Sequence, residues 1–425
     1  MLVLRIGIVG NFPKPYGGVA TTCYHQANQL IAAGHQVAFY DRNRHPEKHC
    51  PLGLKKYYVT ATRKFYVSIR LVADIPRQWF TNKSFRLFFS HLIQDSLRYH
   101  LLTRYPATAF RMLLRSLEML RTFEGLNIEI LHGHHALHDA WALQLLAQYY
   151  FRCPFVVTVH TSEFTMQSNQ PWRQMAIDVC NRADAVVCVS QYAQDCMFKA
   201  GVAPDRVVVS YHGVAATHFA DPSEDNILAI RQRFRIYKNY PLILYTGWLL
   251  ERKGPQVLLE ALPIVEHLPW KAVFVGPDGG MKDILSSRIR ALNLSERVFV
   301  SDAIPYDEHL ALLSLAYVFV FPTLSLDEGF GLVALEAMAH GVPVIASRTG
   351  AIPEVVLDQS TGLFFNPGDV KELASCLQNM LTKPNLRSQM GESARAHARE
   401  FSWESNCARL VQTYEDVILY YAKSV

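Results

Sequence analysis

Arg252 and Lys253 stand side by side in the stretch that opens with Gly247 and ends at Gly254. A planar guanidinium fork beside a compact ammonium suits a diphosphate. Taken alone, an Arg-Lys pair ahead of a helix is also ordinary solvated surface. A second stretch reads Asp327-Glu328-Gly329-Phe330-Gly331-Leu332 and runs into a helical pattern carrying Glu336. Gly329 and Gly331 free the backbone for close approach to a ligand. A helix starting near Gly331 aims unsatisfied N–H groups at a phosphate. Glu328 in the loop and Glu336 just over a turn inside the helix can meet two ends of one ligand. Either carboxylate can accept from a vicinal diol, as ribose hydroxyls do in dinucleotide folds.

The first half of the chain offers less specific candidates. Gly17-Gly18 open a helical run, which suits either an anion at the helix N-terminus or a plain turn. His160 heads His160-Thr161-Ser162-Glu163 and is either a site residue or a packed histidine. His132, His134, His135 and His138 invite a metal reading with Asp139. No cysteine accompanies them, and adjacent residues on a strand face opposite ways, so no metal site is expected. Gly7-Ile8-Val9-Gly10 is not followed by the G-x-G-x-x-G pattern, which argues against a dehydrogenase.

These stretches need elements to hold them. Short apolar runs at 4–10, 36–41, 128–134, 155–160, 185–190 and 207–211 alternate with helical patterns. A second series follows at 242–247, 272–276, 298–301, 317–322, 342–347 and 362–365. The alternation predicts parallel α/β sheets covered on both faces. Two series in succession predict two doubly wound domains, divided in the polar stretch 217–239, with Asp221-Pro222-Ser223 as the loop signal. Each candidate stretch follows an expected strand, where ligands bind in open parallel sheets.

Composition narrows the class. Of 425 residues, 50% are hydrophobic and 19% charged, which is globular rather than disordered. The eight cysteines form no C-x-x-C pair, against a zinc ribbon or dithiol motif and in keeping with a reducing compartment. Residues 1–10 lack the marks of a signal peptide, and no run approaches 18 apolar residues, so a cytoplasmic protein is expected.

In order and spacing, the sequence resembles the retaining glycosyltransferases of family 4, which have the GT-B architecture. The resemblance runs from Gly17-Gly18-Val19 and Gly34-His35-Gln36-Val37 through Val157-Thr158-Val159-His160 to Arg252-Lys253-Gly254. It continues in Glu328-Gly329-Phe330-Gly331-Leu332 with Glu336, the family's E-x7-E signature, then Gly341-Val342-Pro343, Gly350-Ala351-Ile352-Pro353-Glu354 and Phe401-Ser402-Trp403. It implies two Rossmann-like domains facing a deep cleft. Residues 1–220 would form the acceptor side, with 403–425 packing back on it, and 221–402 would bind the nucleotide-sugar.

The implied reaction moves a sugar from a nucleotide-activated donor to an acceptor, with retention and with neither metal nor other cofactor. By this resemblance Arg252 and Lys253 hold the diphosphate, Glu336 the ribose and Glu328 the sugar hydroxyls. His160 lines the sugar pocket, and the Gly17-Gly18 loop closes over the phosphates. Gly247, Gly329, Phe330, Gly331 and Leu332 complete the donor-binding set. The family commonly shows Asn-Gly-Val-Asp where this chain has His212-Gly213-Val214-Ala215, and a glycine that 298–304 lacks, so the nucleotide is unreadable. A nucleotide-sugar epimerase and a non-catalytic sugar-nucleotide-binding protein are the alternative functions.

One segment breaks the alternation. Residues 55–125 hold thirteen Lys/Arg against four acids, a net +9. The remaining chain therefore nets −4 within the total of +5. Thirteen aromatics accompany the cations, among them Trp79, Phe80, Phe85, Phe88 and Phe89. Basic helices with large apolar residues can lie in an anionic membrane interface. They can equally pack on a sheet with their cations solvated. No nucleic-acid module is present. The expectation is an insertion that brings the enzyme to the inner face of the cytoplasmic membrane and to a lipid-linked or cell-envelope glycan acceptor.

Overall fold

Every strand-to-strand pairing within the two sheets is parallel, so each connection must cross over one face and bury its apolar stripe there. A computed structural model describes residues 3–11, 17–41, 58–59, 66–165, 172–237 and 240–424. Residues 12–16 of the glycine loop, 55–57 and 60–65 of the insertion, and 238–239 of the expected boundary lie outside the described residues. The chain divides into two compact units, Met1–Tyr211 with Trp403–Val425, and His212–Ser402.

The first unit holds β1 (Arg5–Gly10), β2 (Gln36–Asp41), β3 (Tyr58–Val59), β4 (Ile130–His134), β5 (Phe155–Val159), β6 (Ala185–Cys188) and β7 (Val207–Val209). Their order is β3-β2-β1-β4-β5-β6-β7. The second holds β8 (Leu242–Thr246), β9 (Lys271–Val275), β10 (Val298–Ser301), β11 (Val318–Phe321), β12 (Val344–Ser347) and β13 (Gly362–Phe365). Their order is β10-β9-β8-β11-β12-β13. Both are doubly wound α/β sheets, and all twelve expected strands form. In each, the connections reverse direction at one point, between β1 and β4 and between β8 and β11. Loops leaving such a pair of strands diverge and open a crevice at the carboxyl edge.

One face of the first sheet is covered by the helices Gly18–Ala32 and Trp403–Ser424. Ile6 and Ile8 of β1 share a core with Cys23, Ala27 and Leu30 of the former and Leu410, Tyr414 and Val417 of the latter. Trp403 stacks on His25 with ring centroids 4.8 Å apart, and Gln26 donates to Asn406 at 3.0 Å.

On the opposite face the insertion joins the helices His138–Leu146, Trp172–Asn181 and Gln191–Lys199 in one core. The insertion forms helices Tyr66–Thr81, Lys83–Arg98, Leu101–Arg104 and Pro106–Phe123. Asn82 accepts from the Phe85 N–H and so caps the second of them. Phe85, Phe88, Leu92, Met112, Leu120 and Phe123 enter one core with Val9, Leu131 and Trp141. Many of the aromatic residues counted in the sequence are therefore core. Several of its charges are also committed: Arg115 pairs with Asp139 at 3.1 Å, Arg98 with Asp178 at 3.1 Å and Arg121 with Asp74 at 3.6 Å, while Asp95 takes Arg182 at 3.1 Å. Arg86 donates to the carbonyls of Trp79 and Phe80 and ties the first helix's end to the second.

A layer this deep should behave as core. Phe88→Ala is expected to cost about 3–5 kcal/mol in urea unfolding, the range for a fully buried Phe. A change of only a few tenths of a kcal/mol, as on a surface appendage, would contradict that placement.

Candidate active site

The residues following β8 turn sharply, and the turn is fixed by close backbone packing. Gly247 has φ +146°, and a Cβ on Gly276 would lie 1.8 Å from its carbonyl oxygen. Tyr245 donates its hydroxyl to the Trp248 carbonyl at 2.8 Å. Glu251–Lys253 form one 3-10 turn, closed by Gly254 at φ +73° before the helix Pro255–Ala261. A Cβ on Gly254 would meet the Pro322 carbonyl oxygen at 1.8 Å, so the loop after β11 lies directly against this turn. The Leu324 N–H donates to the Arg252 carbonyl at 2.9 Å across the same seam.

The side chains meet there too. Arg252 Nη1 donates to Asp327 Oδ2 at 2.8 Å, and Lys253 Nζ lies against Glu328 Oε2. The structure thus brings Arg252, Lys253 and Glu328 together, but with each cation already matched to a carboxylate. Asp327, its side chain only 7% exposed, is the partner that the sequence reading did not single out. Nothing in local spacing marks it; only the juxtaposition of two loops does.

Glu328 is itself held from behind. Its carbonyl accepts from the Ala351 N–H at 2.9 Å, and a Cβ on Gly350 would come within 2.6 Å of that oxygen. Gly350 has φ +58°, a left-handed conformation that glycine adopts freely. The stretch Gly350-Ala351 thereby acquires a positioning role. Ser347 adds a hydroxyl bond to the Thr323 carbonyl at 2.6 Å. Gly329 is buried, and Gly331, at φ +92°, opens the helix Leu332–Ala339 with no side-chain cap and no acid in its first turn. Its first N–H groups are left for a ligand or water. Phe330 and Leu332 are buried. Phe330 packs edge-on to His212 at 5.1 Å, so the residue that departs from the family pattern supports the glycine loop. Burial takes His212 down to about 3.

In the first unit His160 follows β5 and is 7% exposed. Its backbone N–H donates to both oxygens of Glu163, at 3.1 and 3.2 Å. His132 and His134 lie on one face of β4, their rings 4.7 Å apart, as a two-residue period requires. Among the described residues no group of three or more His, Cys, Asp or Glu is arranged to hold a metal ion. Gly17, at φ +151°, precedes the helix Gly18–Ala32, which also starts without a side-chain cap.

Comparison with known proteins supplies the family and the fold. The model of Glycosyltransferase Family 4 matches residues 16–218, and that of Glycosyl transferases group 1 matches 226–397. A D-inositol 3-phosphate glycosyltransferase of Corynebacterium glutamicum is 30% identical over 315 residues, spanning 69% of this chain and 74% of that one. The chain belongs to the family 4 glycosyltransferases. A GDP-mannose-dependent alpha-(1-6)-phosphatidylinositol monomannoside mannosyltransferase of Mycolicibacterium smegmatis is 32% identical over 240 residues, 55% of this glycosyltransferase and 62% of the relative. Its fold is shared with a glycosyltransferase of Rickettsia africae (TM-score 0.74, 17% identity, 98% and 99% covered). It is shared also with Anabaena HepE, solved in complex with UDP (TM-score 0.67, 20% identity, 97% and 100% covered). The architecture is GT-B.

Glu336 of this glycosyltransferase has a distinct electrostatic setting. Some of its surface reaches solvent, yet enough protein encloses it that desolvation pushes its carboxyl up to about 8. The folded chain then keeps a proton that the unfolded chain releases near the ordinary glutamate value, so this group's contribution to stability falls as pH rises from about 4.5 to 8. Glu336→Gln should lack that loss. The difference in melting temperature between variant and wild type is expected to move in the variant's favour from pH 5 to pH 8; a difference independent of pH would contradict the assignment.

Proposed function

We propose that this enzyme moves a sugar from a nucleotide-activated donor to an acceptor with retention of anomeric configuration and without a metal. The observation that carries the reading is the convergence of Arg252, Lys253, Glu328 and the uncapped helix Leu332–Ala339 at the β8/β11 crevice. Departure of a nucleoside diphosphate leaves negative charge. Arg252, Lys253 and the helix N–H groups are fixed donors for it, and loss of one such donor typically costs on the order of 3 kcal/mol. Arg252 spends Nη1 on Asp327, which orients the rest of its fork. Lys253 exchanges Glu328 for phosphate, which releases that carboxylate to the donor's sugar hydroxyls. Glu336 takes the ribose diol, and His160 serves the donor sugar. Gly247, Gly329, Phe330, Gly331 and Leu332 shape the donor loop, and Gly17 with Gly18 attends the phosphates.

A panel of UDP-, GDP- and ADP-sugars is expected to raise the melting temperature with one nucleotide by mass action. The double variant Arg252→Ala, Lys253→Ala should lose both that shift and turnover. Unaltered turnover in the double variant would overturn the diphosphate assignment. No response to any nucleotide-sugar in the wild type would overturn donor binding itself.

The acceptor is a lipid-linked or cell-envelope glycan, met at the cytoplasmic face of a membrane. Two observations support this. The relatives above are named for phosphoinositol acceptors, one of them a lipid. The insertion also keeps an outward apolar set beside cations: Phe80, 77% exposed, lies between Arg77 and Lys83 in sequence, and Leu97, Leu102 and Phe110 are exposed near Arg98, Arg104 and Arg111. Among the described residues no helix is long and apolar enough to cross a membrane. The protein should co-sediment with vesicles containing anionic lipid, and the variant Arg77→Glu, Phe80→Ser, Lys83→Glu should not. Equal sedimentation of the two would contradict membrane contact through this face.

A further inference from the structure

His160 is more heavily constrained than a residue that merely lines a pocket. The residue after it, Thr161, has φ +83°, a left-handed conformation that a β-branched side chain rarely adopts. Strain of this kind persists only where the surroundings over-determine it, and it gathers at functional sites. Here the surroundings are explicit. Glu163 has no solvent exposure and accepts from the His160 N–H, from the Ala136 N–H at 3.3 Å and from His135 Nδ1 at 3.2 Å. Burial alone would push its carboxyl up, but His135 and the backbone donors outweigh that and hold it below the usual range. One buried carboxylate thus welds the turn after β4 to the turn after β5.

The imidazole is fixed separately. His134 Nδ1 and His160 Nε2 are 3.2 Å apart, and both side chains are buried. In a neutral pair one ring must donate and the other accept, so the tautomer of His134 sets that of His160. The His135 ring packs at 4.8 Å from the His160 ring. His134 in turn stands on β4 beside His132, which bonds Tyr414 at 2.6 Å and Thr158 at 2.7 Å. Burial takes His132 down to about 3, so it stays neutral and leaves that layer without an added charge.

The geometry points to His134 as a positioning residue: through Nδ1 it holds the His160 imidazole in one orientation and one tautomer on the turn that Glu163 clamps. This rests on the reading that His160 serves the donor sugar. Side-chain 15N resonances of the full-length enzyme report the bond independently of turnover, so the two readings can fail separately.

The test compares two substitutions at one position. In His134→Asn the amide occupies the place of Nδ1 and keeps the bond. In His134→Gln it is displaced, although polarity and approximate volume are retained. His134→Gln should lower kcat about tenfold with little change in donor KM, a loss in the range expected for a displaced reacting group. Its His160 resonances should change from one fixed tautomer to an exchanging average. His134→Asn should stay within about threefold of wild type and keep the fixed tautomer. Equal kcat in the two variants, or an unchanged His160 spectrum in His134→Gln, would overturn the positioning role. His160→Ala with wild-type turnover would instead overturn the role of His160, while the wild-type spectrum would still report the bond. Both His134 variants keep a polar side chain at a buried position, and if His134→Gln does not fold, an exchanging His160 tautomer in His134→Asn, which keeps the bond, would overturn the positioning role.

Discussion

Carboxylates that stay ionised away from water have to meet a cation or a set of N–H donors, and the candidate-site edges of both units hold such groups. In the second unit Asp327 and Glu328 are nearly covered, and Arg252 and Lys253 from the facing loop answer them. The pairs do more than neutralise charge. They join the turn after β8 to the loop after β11, where glycines already allow the backbones to touch. In the first unit Glu163 does the equivalent work with His135 and two backbone N–H groups. In the second unit the cations are partly exposed, so those pairs contribute little to stability by themselves. Their consequence is geometric: removing either member leaves a covered charge that must move or protonate.

The same rule changes the meaning of the basic insertion. A net +9 across 55–125 suggests a free cationic face when it is read as a sum. In the fold, Arg98, Arg115 and Arg121 are paired with Asp178, Asp139 and Asp74, and Arg86 closes a helix end. Phe85, Phe88 and Phe123 are core. Among the described residues, those left facing outward include a set around Arg77, Phe80 and Lys83 and another around Arg104, Phe110 and Arg111. The insertion is therefore first a covering layer for a parallel sheet, which cannot leave either face bare.

How much could be read in advance differs by level. Strand positions were legible because buried parallel strands are written as continuous apolar runs, and all twelve expected runs became strands. The short β3 was not, because a two-residue edge strand has no pattern of its own. The convergence of Arg252, Lys253 and Glu328 was legible because all three follow strands and stand beside glycines. Asp327 was not, because its significance lies in a partner 75 residues away. In the sequence His134 stands out only as one of four neighbouring histidines and Glu163 only as the end of the His160 stretch, and the strained backbone at Thr161 that exposes their role exists only in three dimensions.

By itself, then, the sequence determined the period of its elements, the carboxyl-edge location of its candidate residues and its place among the family 4 glycosyltransferases, since all three follow from local order and spacing. The tertiary structure decided which charges are spent on one another, which aromatics are core and which atom each histidine presents. Those outcomes depend on desolvation and on contacts between distant loops, and no local stretch of chain contains them.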